Sequence, residues 1–92
     1  MSIEDKVILI TGATGWLGRE VAPAIARTGA RLAITGRNQK TLQEVADSVN
    51  APDERLLVHP ANLADPAEVQ TLMDAITARW EGVDILLNLA GG

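Results

Sequence analysis

The residues best placed to do chemistry are glycines. The stretch Thr11-Gly12-Ala13-Thr14-Gly15-Trp16-Leu17-Gly18 follows a short apolar run and precedes a helical period. In that setting each glycine has a task. Gly12 permits a tight turn out of a strand, Gly15 lets a ligand approach the backbone without meeting a Cβ, and Gly18 lets a helix pack close to the strand. Free N–H groups and the helix dipole then favour an anion, a phosphate above all. A second candidate is Arg37, just after Gly36, whose guanidinium suits bidentate phosphate binding. No acid–base set stands beside them. His59 is alone and reads as structural. Asp65, Glu68, Asp74, Glu81 and Asp84 read as a helix cap and solvated positions, and Ser2 and Ser48 have no base partner. With no cysteine and no His/Asp/Glu cluster at ligand spacing, no metal site is expected.

The elements that must position these residues alternate. Residues 6–11 (KVILIT) form a contiguous apolar run, as in a strand buried on both faces. A helix is expected over about 16–28, with Leu17, Val21 and Ile25 on its apolar face, Gly29 closing it and Pro23 threatening a kink. A strand over 31–35 (RLAIT) leads to Gly36. Asn38 then caps a helix running to Val49, with Leu42, Val45, Ala46 and Val49 facing inward. Asn50-Ala51-Pro52-Asp53 reads as a turn before a third strand over about 55–59. Asp65-Pro66-Ala67-Glu68 carries a capping Asp, a first-turn Pro and a capping-box Glu. The helix it starts buries Val69, Leu72, Met73, Ile76 and Trp80 and ends at Gly82. Residues 83–89 (VDILLNL) form the last strand, followed by Ala90-Gly91-Gly92.

The order βαβαβαβ implies an α/β fold with parallel pairing and right-handed crossovers. The expected architecture is a half Rossmann fold, one domain of 92 residues with a four-stranded parallel sheet in the order 3-2-1-4. The first two helices cover one face and the third the other. A switch point falls between strands 1 and 4, where the 12–18 and 88–92 loops converge. The end of strand 2 faces the adenosine ribose in such a fold. An acid there binds the 2′-OH of NAD, whereas an arginine accepts the 2′-phosphate of NADP. With Arg37 and no acid, NADP(H) is expected over NAD(H).

Four motifs in order resemble the short-chain dehydrogenase/reductase family: the glycine loop, Gly36-Arg37-Asn38, Asn62-Leu63, and Asn88-Leu89-Ala90-Gly91-Gly92. The resemblance spans the chain and implies an NAD(P)-dependent family with hydride-transfer chemistry. It implies dinucleotide contacts at Gly12, Thr14, Gly15, Trp16, Leu17 and Gly18. It further implies Arg37 and Asn38 at the ribose phosphate, Asn62 and Leu63 beside adenine, and Asn88, Ala90 and Gly91 toward the nicotinamide side. Three departures stand out. The loop reads TGxxGxxG rather than the main subgroup's TGxxxGxG, because Trp16 takes the place of a glycine. Its indole is read as a packing group, with a cap over the pyrophosphate as the alternative. Asn62 replaces the adenine-contacting Asp, and Leu89 changes NNAG to NLAG. The family's catalytic Ser and Tyr-x-x-x-Lys lie beyond that loop, and this sequence has no tyrosine. No catalytic residue is therefore assigned, and the expectation is a dinucleotide-binding module inactive in hydride transfer alone. The alternatives are a structural, regulatory or engineered fragment that has lost the cofactor, or an enzyme completed by a partner.

Composition narrows the partners. A net charge of −4 without a basic run argues against nucleic acid. No apolar stretch is long enough to span a membrane, the acidic start lacks a signal-peptide core, and a cysteine-free chain fits the cytoplasm. Strand 4, carrying Ile85, Leu86 and Leu87, is an apolar sheet edge beside a half-covered face. Self-association through that edge or face, as a homo-oligomer such as a dimer, is expected.

Overall fold

A computed structural model describes residues 3–89. The elements run β1 (Val7–Thr11), α1 (Trp16–Ala26), β2 (Arg31–Ile34), α2 (Gln39–Val49), a 3-10 turn (Asp53–Arg55), β3 (Leu56–Val58), α3 (Pro66–Trp80) and β4 (Ile85–Asn88). All strand pairs are parallel, and the sheet order is β3-β2-β1-β4, as expected.

Every residue of β1 is buried, because both of its faces are covered. Ile8 and Ile10 join Leu32 and Ile34 under Ala22 of α1 and Leu42 and Val45 of α2. Val7 and Leu9 join Ala33 under Leu72, Ile76 and Trp80 of α3. Strand alternation thus feeds two separate cores from one contiguous apolar run. On β4, Ile85 and Leu87 pack at the margin of the α1/α2 core. Leu86, paired with Leu9, is 57% exposed.

The inner face of α1 differs from the expected one. Gly18 and Ala22 are its buried residues, whereas Leu17 is 46% exposed. The cause is the approach of the helix to the loop below it. A Cβ on Gly18 would lie 2.4 Å from the Ala13 carbonyl oxygen, so the helix turns its smallest side chains inward. Val21 and Ile25 flank the core and Leu17 swings outward. The helix continues through Pro23 and ends at Ala26, two residues short of Thr28. Arg27, Thr28 and Gly29 then donate to the carbonyls of Pro23, Ile25 and Ala26.

Caps behave more simply. Asn38 Oδ1 accepts from Thr41 N–H at 3.0 Å, and Asp65 Oδ1 accepts from Ala67 N–H at 2.9 Å. The capping box does not close, however. Glu68 reaches past Asp65 to accept from Asn62 N–H at 2.9 Å, because Asp65 N–H already donates to the Asn62 carbonyl. At the other end of α3 the left-handed residue is Glu81 (φ 76°), one position before the expected Gly82.

β3 and β4 are shorter than expected at both ends, and tertiary bonds hold the residues just before them. Arg55 donates to the Gly29 carbonyl and to Asp5 Oδ1, both at 2.6 Å, tying the amino ends of the strands together. This hydrogen bond and the Arg55 charge hold the Asp5 carboxyl below the usual carboxylate range. Asp84 Oδ2 accepts from Val7 N–H at 2.8 Å, and Asp84 N–H donates to the Val7 carbonyl. Asp84 thereby sets the start of β4 against β1 rather than standing in solvent without a role.

Candidate functional site

At the carboxyl ends of the strands the chain forms an open groove of about 780 Å³, within the size range of cofactor sites. Ten of the expected site residues line it: Gly12, Thr14, Gly15, Trp16, Leu17, Gly18, Arg37, Asn38, Asn62 and Leu63. Ala90 and Gly91 lie outside the described residues. Asn88 does not line the groove. Its Oδ1 accepts from the Thr11 hydroxyl at 2.7 Å, across the register pair that joins β4 to β1.

The groove floor comes from the β1–α1 loop. Gly12 has φ 68°, the left-handed turn expected of it. Ala13 N–H donates to the Thr35 carbonyl and Gly15 N–H to the Gly12 carbonyl, each at 3.2 Å, fixing the loop against β2. Arg19 Nε donates to the Thr14 carbonyl from the outside. Gly15 is the N-cap of α1, offers no capping side chain, and is followed by no acid in the first turn. The other two α-helices each carry a side-chain cap. The start of α1 therefore presents N–H groups and the positive end of the helix dipole to the groove, an arrangement that suits an anion.

Arg37 lies on the groove wall, exposed, with no hydrogen bond or ion pair to any described residue. Its charge is available to a ligand. Asn38 contributes to the wall while its Oδ1 caps α2. Asn62 Oδ1 accepts from Ala64 N–H at 3.0 Å, which folds the loop after β3 over the groove and leaves the Asn62 amide N–H groups as donors.

Trp16 does not pack against the core: its side chain is 78% exposed beside the groove. With the smallest side chains of α1 turned inward, position 16 falls on the outer side of the first turn. Leu17 and Leu63, also exposed, join it around the groove. Gly36, Ala61, Ala64 and Leu89 were not expected as lining residues. Ala61 and Ala64 flank the Asn62-Leu63 motif, Gly36 and Leu89 belong to recognised motifs, and only the size of the three small residues hints at a close approach.

His59 Nδ1 lies 3.1 Å from the Pro60 carbonyl, and His59 is not among the residues that line the groove. Among the described residues no group of three or more His, Cys, Asp or Glu could hold a metal, and no helix is long and apolar enough to cross a membrane.

Comparison with known proteins places this geometry. A family model for short chain dehydrogenases matches residues 6–92, and the chain belongs to that family. It is 40% identical over 90 residues to the short chain dehydrogenase/reductase dpmpG of Macrophomina phaseolina, covering 97% of this chain and 51% of the relative. It is 34% identical over 91 residues to the 3-oxoacyl-[acyl-carrier-protein] reductase FabG of Escherichia coli, covering 99% and 36%. Among solved structures, a short chain dehydrogenase from Bacillus anthracis superposes with a TM-score of 0.91 at 28% identity, over 100% of this chain and 37% of that one. The L-sorbose reductase of Gluconobacter frateurii, complexed with NADPH and L-sorbose, gives 0.87 at 30% identity, over 100% and 35%. The chain thus spans about a third to a half of the length of the relatives it matches.

Proposed function

We propose that this chain is the dinucleotide-binding half of a short-chain dehydrogenase/reductase, that it prefers NADP(H) to NAD(H), and that it transfers no hydride alone. One observation carries the reading. The uncapped start of α1 and the unpaired Arg37 open into the same groove. The first suits a pyrophosphate and the second a 2′-phosphate, and the exposed Gly15 leaves the start of α1 open to approach. A bound nicotinamide dinucleotide supplies the hydride donor or acceptor. This chain's residues bind and orient it: the first-turn N–H groups of α1 hold the diphosphate, Arg37 and Asn38 the ribose end, and Asn62 and Leu63 the adenine. Asn88 accepts from the Thr11 hydroxyl and holds the carboxyl end of β4 against β1. A cytoplasmic setting belongs to the same proposal.

Arg37→Ala tests the dinucleotide preference. A charged hydrogen bond contributes about 1.5–3 kcal/mol, so the NADPH/NADH affinity ratio falls by about ten- to hundredfold. An unchanged ratio overturns the assignment. Self-association belongs to the same proposal, because Leu86 leaves an apolar spot on an edge strand. Light scattering that shows only monomer at high concentration removes it.

A further inference from the structure

The end of β2 is held on both sides. The Thr35 carbonyl accepts from Ala13 N–H at 3.2 Å, and the Gly36 carbonyl accepts from Ala61 N–H at 2.9 Å. Gly36 between them is buried, and its φ is not in the left-handed region, so its backbone would accept any L residue. Space is the obstacle. A Cβ at position 36 would lie 2.8 Å from Thr14 Cγ2 and 3.3 Å from Thr14 Oγ1. Rotation of Thr14 relieves the contact only in part: with the hydrogen of its Cβ at the 2.8 Å position, a heavy atom still occupies the 3.3 Å position, and the larger carboxylate of an aspartate needs more room than a Cβ. The pinned backbone at 35–36 cannot retreat without breaking those bonds.

An acid at the end of strand 2 is what recognises the 2′-hydroxyl of NAD. We propose that Thr14 is a specificity-determining residue whose branched side chain excludes an acid from position 36 and so reserves the ribose pocket for a 2′-phosphate. The inference rests on the dinucleotide reading above, and it couples Thr14 of the β1–α1 loop to the residue it touches at the end of β2.

A double-mutant cycle tests it, with NADH and NADPH affinities of the full chain measured by calorimetry for the unaltered protein, Gly36→Asp, Thr14→Ala and the double variant. Gly36→Asp alone gains little NADH affinity. The double variant binds NADH about tenfold better than Gly36→Asp, because the carboxylate then seats. A single Gly36→Asp exchange that gains NADH as fully as the double variant overturns the gate while leaving the dinucleotide reading intact. If the unaltered chain binds neither nucleotide, the reading fails and the gate fails with it. Thermal unfolding follows the steric contact without any nucleotide. Gly36→Ala lowers Tm by about 5 °C or more, and Thr14→Ala in the same chain restores most of the loss. A Gly36→Ala variant with an unchanged or raised Tm overturns the contact.

Discussion

Gly18→Ala separates packing from helix propensity, because the two pull in opposite directions. Alanine in a helix gains about 1 kcal/mol over glycine. The new Cβ, however, would sit 2.4 Å from the Ala13 carbonyl oxygen and 2.6 Å from its carbonyl carbon and Cα. These are backbone atoms, held by the bond from Ala13 N–H to the Thr35 carbonyl, and they cannot rotate away. Overpacking costs about 1–3 kcal/mol, and a clash with fixed backbone belongs at the upper end. The net effect is a loss of about 2 kcal/mol, which for a domain of this size lowers Tm by about 8–16 °C. Gly15→Ala is the control. Its Cβ would meet only the Gly12 carbonyl oxygen at 3.6 Å, and its backbone is extended (φ −70°, ψ 166°). That variant keeps its stability to within about 1 kcal/mol, but its methyl group occupies the phosphate approach and weakens NADPH binding. Thermal melts and nucleotide titrations of the pair decide the matter. A Gly18→Ala chain that melts at or above the unaltered protein refutes the packing argument. A Gly15→Ala chain that binds NADPH undiminished refutes the placement of the phosphate.

Two further outcomes follow from the bonding. The Thr35 hydroxyl is fully buried with no hydrogen-bond partner among the described residues, so Thr35→Val stabilises the chain by about 1 kcal/mol in denaturant unfolding, and a loss of stability refutes the reading of that hydroxyl as unpaired. The folded Asp5 carboxyl titrates below its ordinary 3.8, so its pairing with Arg55 contributes stability above that value and loses it as the pH falls through the folded pKa. The Tm of the unaltered chain accordingly exceeds that of Asp5→Asn near neutral pH and the gap closes in acid; a gap that persists at about pH 2 refutes the linkage.

Where the signal was local, the fold could be read from sequence. The contiguous run at 7–11 announced a strand covered on both faces, and Asn38 and Asp65 announced helix starts that the structure caps through those side chains. The glycine loop and Arg37 likewise marked residues that now line one groove. Where tertiary contact decides, sequence was silent or misleading. The period of α1 fits a face on Leu17 or on Gly18 equally well, and the close approach to Ala13 selects Gly18. That choice also leaves Trp16 outside the core. Glu68 satisfies a capping-box pattern, yet a loop carboxyl-terminal to β3 competes for it and wins through Asn62. The bonds of Arg55 and Asp84 were equally hidden, because their partners lie at the other end of the chain or across the sheet. Thr14 and Gly36 meet only through the sheet, so no local pattern could pair them.

Whether the groove beside α1 holds NADP(H) is decided by calorimetric titration of the unaltered chain with NADPH and with NADH. NADPH is expected to bind at a single site, with NADH about ten- to hundredfold weaker. Binding of neither nucleotide at about millimolar concentration, where affinity corresponds to roughly −4 kcal/mol, contradicts it.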